Sequence, residues 1–210
     1  MAQLQAFWDW FQDYAEAYYY LQDFSVAEQA FYNHELTSRL QDYHENLCFG
    51  ITFSKDETDA QLILSTNGQV DGLFFVTNLV NIAPDIPKWT IVAFIQPQLD
   101  LEAIRTGTDE PYYFKDFPIK PSDLRWAPVD FDSRNCTCDL LFHLITYPKL
   151  EAPADVEQLL DYIYIIILDL LGEEVVRQTI RFGYYEDALL HYLDWYRLDA
   201  LPDFLATWEL

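Results

Sequence analysis

Leu47-Cys48-Phe49-Gly50-Ile51-Thr52-Phe53 is the stretch on which the reading of the fold turns. Leu47, Phe49, Ile51 and Phe53 alternate with Cys48, Gly50 and Thr52, which is the period of a half-buried strand. Upstream the period differs. Leu4, Phe7, Trp8, Phe11, Ala15 and Tyr18 recur at three- and four-residue spacing, so the chain opens with an amphipathic helix whose Asp9, Asp13 and Glu16 lie outside the apolar stripe. A second helix follows Ser25, which with Glu28 has the spacing of a capping box, and Leu36, Leu40 and Tyr43 carry its buried face to about Asn46.

Downstream of the deciding stretch, Gln61 to Thr66 reads as a hairpin partner of the first strand. Asn67-Gly68 resembles a hairpin turn, but Val70, Phe74, Thr77, Leu79 and Val80 have helical spacing, so it marks a strand-to-helix transition that Pro84 and Pro87 close. Trp89 to Ile95 is an apolar run bounded by prolines, expected as an interior strand buried on both faces; if it joins the sheet of Gln61–Thr66 and runs parallel to it, the crossover is right-handed. Residues 97–123, with four prolines, are expected to be mostly loop, with a helical turn near Leu101 to Arg105. Leu124 to Phe131 and Asp139 to Tyr147 read as strands joined by the turn formers Asp132-Ser133-Arg134-Asn135, the first edge-placed or bulged at Pro128. A core helix covers about 154–171 and stops at Gly172. A last strand then carries Val176, Gln178, Ile180 and Phe182 on one face and Val175, Arg177, Thr179 and Arg181 on the other. The segment from Tyr184 to Leu210 is partly helical and broken at Pro202.

These elements predict an α+β fold, a mainly antiparallel, mixed sheet of about five to six strands with helices packed over it. One domain is expected over 1–210, because no Pro, Gly or Ser-rich linker separates two cores: a helical segment at about 2–46, a sheet region at about 47–150, and a helix-strand-helix part at about 151–210.

Phe7-Trp8-Asp9-Trp10-Phe11, the Tyr43-His44 before Leu47, and Leu64-Ser65 followed by Gly68 belong to a recognisable set. Its other members are Ala83-Pro84 with Trp89 and Val92-Ala93-Phe94, and Leu168-Asp169 with Leu171-Gly172-Glu173. The set resembles a family of uncharacterised bacterial proteins across most of residues 7 to 182. The resemblance implies a bacterial, cytoplasmic α+β protein and no catalytic residue. Each motif residue also has a structural role: Trp8 and Phe11 anchor a helix face, and Pro84 stops a helix.

The composition joins two opposed tendencies. The 210 residues include 35 Asp and Glu against 12 Lys and Arg, a formal net charge of -23, yet 51% are hydrophobic and 17% aromatic. Six Trp, fifteen Tyr and fifteen Phe can bury far more surface than a disordered acidic tail can, so the chain is expected to fold into a compact, acid-skinned globule. Its field repels nucleic-acid phosphates and anionic membranes and attracts basic partners. The acids are unevenly placed: residues 1–46 hold eight against Arg39 alone, and 151–174 hold seven with no base. A basic partner is therefore expected on the helical side. Three cysteines, Cys48, Cys136 and Cys138, are too few and odd in number for a disulfide framework. With no basic, apolar leader at the N-terminus and no apolar run near the roughly 20 residues of a membrane span, a cytoplasmic location is expected.

Chemistry-bearing motifs are sparse. The sequence holds no H-E-x-x-H, nucleophile elbow, phosphate loop or dinucleotide fingerprint. Cys136-Thr137-Cys138 has the wrong spacing for structural zinc, so no metal or other cofactor is expected. Asp130 and Asp132, with Asp123 or Asp139, offer hard-cation ligands but equally a solvated turn. His143 lies in an apolar strand, where a hydrogen-bonded structural histidine is the plainer role than a base, and Arg177 with Arg181 would share one strand face and grip a carboxylate or phosphate, or neutralise acids.

Three functional readings follow. The first is an interaction protein that binds a basic protein through an acidic, aromatic-bearing surface, as an immunity or inhibitor protein does, without direct nucleic-acid or membrane binding. The second is an enzyme or small-ligand binder with a cleft near Asp130, Asp132, His143, Arg177 and Arg181. In the third, the acids serve only solubility or adaptation to salt.

Overall fold

The computed structural model describes residues 2–54, 58–114, 117–146 and 153–207. Within them lie seven α-helices and nine strands, an α+β fold as expected. The strands form three sheets rather than one. The chain divides into two compact units, residues 1–95 and 96–210.

The N-terminal unit begins with α1 (Ala2–Tyr19), whose apolar stripe from Leu4 to Tyr18 is buried as its spacing requires. Trp8 is fully enclosed and satisfies its one donor by giving Nε1–H to the Leu79 carbonyl at 2.9 Å. The helix α2 (Val26–Tyr43) starts at the expected capping box: Glu28 N–H donates to Ser25 Oγ at 3.3 Å, and Ser25 N–H donates to Glu28 Oε2 at 3.0 Å. Those reciprocal bonds satisfy helix-end donors that otherwise lack partners. The Ser25 hydroxyl, which donates to Glu28 Oε2 at 2.6 Å, and after it the Ser25 N–H hold the Glu28 carboxyl below its ordinary range.

The strands β1 (Cys48–Phe53), β2 (Ala60–Ser65) and β3 (Trp89–Ala93) form a sheet in the order β1-β2-β3. β1 and β2 are the expected antiparallel hairpin, with Phe49 opposite Leu64 and Ile51 opposite Leu62, and β3 runs parallel to β2. Asn67 (φ 48°) and Gly68 (φ 82°) take left-handed conformations at the end of β2 and lead through a short 3-10 turn into α3 (Leu73–Asn81), as the change of spacing predicts. Gly72 ends that turn under a close contact, because a Cβ there would stand 2.4 Å from Thr66 Cγ2. One expectation fails. β3 lies at the end of the order β1-β2-β3, and after Trp89 it is only half-buried or exposed, because β1 already occupies the far side of β2.

In the C-terminal unit, α4 (Leu101–Thr106) is capped by Asp100 and stops at Gly107, whose φ of 73° suits only glycine comfortably. The prolines of 97–123 had masked a hairpin: β4 (Tyr112–Phe114) pairs with β5 (Phe117–Ile119), with Pro118 tolerated because a two-stranded sheet is all edge. β6 (Leu124–Asp132) and β7 (Thr137–Leu144) are antiparallel, with the expected irregularity between Pro128 and Asp130. The expected end of β7 at Tyr147 lies outside the described residues. The core helix α5 (Pro153–Leu171) buries Leu159, Ile163, Ile166, Ile167 and Leu170.

Residues after Gly172 correct the sequence reading. Glu173 to Thr179 form a helix, α6, and the strand β8 (Ile180–Tyr185) begins only at Ile180. The β-branched Val175 and Val176 suggested a strand, but Glu173 and Glu174 in the first turn and Arg177 in the last suit a helix dipole. A short strand β9 (Tyr196–Arg197) and α7 (Leu201–Ala206) complete the chain, and Pro202 sits in the first turn of α7 rather than breaking a helix, since an N-terminal proline lacks only a donor that would be unpaired anyway. The four-stranded sheet has the order β8-β7-β6-β9; β8 is parallel to β7, and the other pairs are antiparallel.

Candidate functional site

Two of the five residues proposed for a cleft meet, around Asp139, which the sequence offered only as a further cation ligand. Asp130 on β6 stands opposite Asp139 on β7, and Asp139 stands opposite Phe182 on β8. The register shifts beside Asp130 and beside Asp139 in these ladders bring Arg181 over both acids. Arg181 Nε donates to Asp139 Oδ1 at 2.8 Å and one terminal nitrogen to Asp139 Oδ2 at 3.0 Å, while that nitrogen also reaches Asp130 Oδ2. The fork onto Asp139, followed by the bond to Asp130, raises the Arg181 pKa above its ordinary value. The Asp139 carboxylate is 8% exposed, so Arg181 supplies the compensation a buried charge needs. The triad bolts three strands together.

Asp132 does different work. Its Oδ1 accepts from Arg134 N–H at 2.9 Å and its Oδ2 from Asn135 Nδ2 at 2.8 Å, which fastens the β6–β7 turn and lowers its pKa. His143 is buried on β7, with Nδ1 3.0 Å from the Glu186 carbonyl oxygen and its ring edge-on to Trp195. Four residues of strand put its Cα about 13 Å from that of Asp139, too far to share chemistry with the triad. Arg177, expected beside Arg181 on a strand, instead lies on α6, where its buried Nε–H has no described partner. The five therefore do not converge.

The hard-cation alternative fares no better. Asp130 and Asp139 are bound to Arg181, Asp132 to the turn, and Asp123 Oδ2 accepts from the Thr146 hydroxyl at 3.0 Å. Among the described residues, no group of three His, Cys, Asp or Glu is placed to hold a metal ion. Cys136 is exposed in the turn, whereas Cys138 is buried and its thiol is pushed up to about 12 by that burial and by the Asp139 charge, which keeps it protonated and inert. A second charge network escaped the sequence reading: Asp199 accepts from Arg197 Nε at 3.1 Å and Arg105 Nε at 3.2 Å. Burial pushes the Asp199 carboxyl up, but those two guanidiniums outweigh it and hold it below its ordinary range.

The concave surface of the N-terminal unit is of another kind. A groove of about 410 Å³ runs between β1 (Phe49, Ile51, Phe53) and the helical side, where Leu21, Gln29 and Asn33 form the opposing wall. A second hollow of about 350 Å³ shares Gln22 and Phe53 with it and adds Tyr19, Tyr20, Asp23 and Lys88. There the Lys88 ammonium lies 4.8 Å from the centre of the Tyr19 ring. Sequence alternation had located Phe49, Ile51 and Phe53 as one face of a strand. It carried no sign that this face stays only half covered.

Comparison with protein-family models, with curated proteins and with solved structures gives no match.

Proposed function

We propose that the chain is an acidic protein-interaction module of the cytoplasm that binds a basic protein partner, in its finer form as an immunity or inhibitor protein. The observation that carries this reading is the uncompensated charge of the leading helices: eight acids in residues 1–46 face only Arg39, and that guanidinium already lies over the Trp10 ring at 4.3 Å. Such a surface speeds encounter with a cationic partner and repels anionic ones. The dispersal of Asp132, His143 and Arg177, and the engagement of Asp130 and Arg181 in a structural triad, favour this reading over a cleft built from those five residues. No described helix is long and apolar enough to cross a membrane.

The test is affinity capture from the native host followed by titration of the purified pair. The expected result is a saturable complex with a basic protein that survives moderate salt. Recovery of nothing but nonspecific contacts that salt disperses would overturn the reading.

A further inference from the structure

The hydrogen-bond parity of the N-terminal sheet fixes what β1 presents to its free side. Ala60 N–H donates to the Lys88 carbonyl at 2.8 Å, and the Leu64 carbonyl accepts from Phe94 N–H at 2.8 Å, so Ala60, Leu62 and Leu64 point their backbone groups toward β3. Gln61, Ile63 and Ser65 must then point toward β1, where their partners are Thr52, Gly50 and Cys48. The N–H and C=O groups of Phe49, Ile51 and Phe53 consequently point away from the sheet. No hydrogen bond joins them to any described residue beyond it. They are the residues that line the 410 Å³ groove, at a spacing of about 6.7 Å.

Resting on the basic-partner reading above, we infer that this edge takes up an extended, basic segment of a partner protein as a fourth strand of the sheet, seated in the groove opposite α2. Three donor–acceptor pairs aimed into one groove provide the main-chain half of such an addition, and the pockets for alternate side chains provide the rest. Alternate residues of the segment, small or branched and apolar, turn inward onto Phe49, Ile51, Phe53 and Leu21, all only partly covered in the free protein. The intervening residues face water, and the field they meet sets their charge: residues 1–95 carry thirteen acids and three bases. Lysines or arginines fit that field. A second copy of the chain, itself at -23, does not.

The experiment uses the full chain and a fluorescent peptide of about nine residues alternating Lys and Val, followed by anisotropy at physiological salt. A Glu/Val peptide of the same length is expected to bind at least about tenfold more weakly, and N-methylation at one of the two alternate sets of peptide residues to cost a similar factor while the other set is tolerated. On the protein, Ile51→Pro deletes one outward N–H without touching the β1–β2 ladder, and Asn33→Lys sets a cation on the facing wall; each should weaken the Lys/Val peptide by about tenfold. Circular dichroism checks the fold of Ile51→Pro, and Asn33→Lys carries the test by itself if that variant unfolds. Equal binding by both variants and both N-methylated peptides would overturn the edge site while leaving the basic-partner reading standing. Lys/Val and Glu/Val peptides that bind alike, or a Lys/Val peptide that does not bind, would overturn both. A dimer in light scattering that Ile51→Pro abolishes would assign the edge to a second copy instead and so overturn the proposal.

Discussion

Arg39 in the first 95 residues lies 4.3 Å from the centre of the Trp10 ring, and Lys88 lies 4.8 Å from that of Tyr19; Arg39 comes only within 3.7 Å of a carboxylate, that of Glu35. In residues 96–210 the habit is reversed. Arg181 forks onto Asp139 and reaches Asp130, and Arg105 and Arg197 share Asp199, although Arg181 also stands 5.6 Å from the Phe182 ring. The contrast shows two uses of scarce bases. A cation on a ring adds to aromatic packing, while a cation on a carboxylate holds strands together, and either use leaves the net charge of the unit the same. Both units keep an acid excess to offer a partner, thirteen acids against three bases in residues 1–95 and 22 against nine in 96–210.

The heaviest blow to the contrast is Trp8→Ala. The N-terminal unit rests on aromatic packing, with Trp8 edge-on to Phe7 and Phe11 and Phe11 edge-on to Trp89, so removal of this enclosed ring should cost about 3–5 kcal/mol in chemical denaturation. A loss below about 1 kcal/mol would mean that the rings are not what holds this unit. Next comes Arg181→Gln, which strands the Asp139 carboxylate; it should lower the unfolding midpoint, and Asp139→Asn in the same chain should recover part of the loss. Two independent, additive effects would dissolve the triad as a unit.

Asp199→Asn should cost about 1 kcal/mol at neutral pH, a modest figure because both guanidiniums are about half exposed to solvent. The carboxyl is depressed in the folded state, so its contribution is present above the unfolded value and disappears as the pH falls through the folded one. Wild type and variant should thus begin to converge below about pH 4, meet only below the depressed folded value, and converge in high salt as well. The smallest expected effect is that of Arg39→Met, about 0.5 kcal/mol from the ring contact and largely unchanged by salt. A strong salt dependence there would show that Glu35, rather than Trp10, is the partner that counts.

Local chemistry was legible in the sequence where it is self-contained. Ser25 and Glu28 announce their capping box three residues apart, and the period switch at Leu47 and the helical spacing after Asn67-Gly68 need no distant partner to be read. The misreadings share a cause. Val175 and Val176 favour a strand by shape, but the acids before them and the packing of Val176 in the interior make the segment helical. Tyr112–Phe114 was hidden because its strand exists only through Phe117–Ile119, itself interrupted by Pro118. Asp139 went unremarked as the centre of the triad, since its partners lie nine residues before it and 42 after it, joined through two register shifts. Whether Phe49, Ile51 and Phe53 face a neighbour or open water was equally illegible, because centre and edge are properties of the whole sheet.

That open edge also bears on how the protein behaves in concentrated solution. Unpaired strands are templates for fibrous self-association, and natural proteins guard them with like charge. Here the guard is global, a charge of -23 on every copy, and it has a pH at which it lapses: the sequence pI is about 4.1. In mild acid the molecules cease to repel, and Phe49, Ile51 and Phe53 are free to stack onto their counterparts. The acid excess is thus, at neutral pH, the molecule's protection against itself.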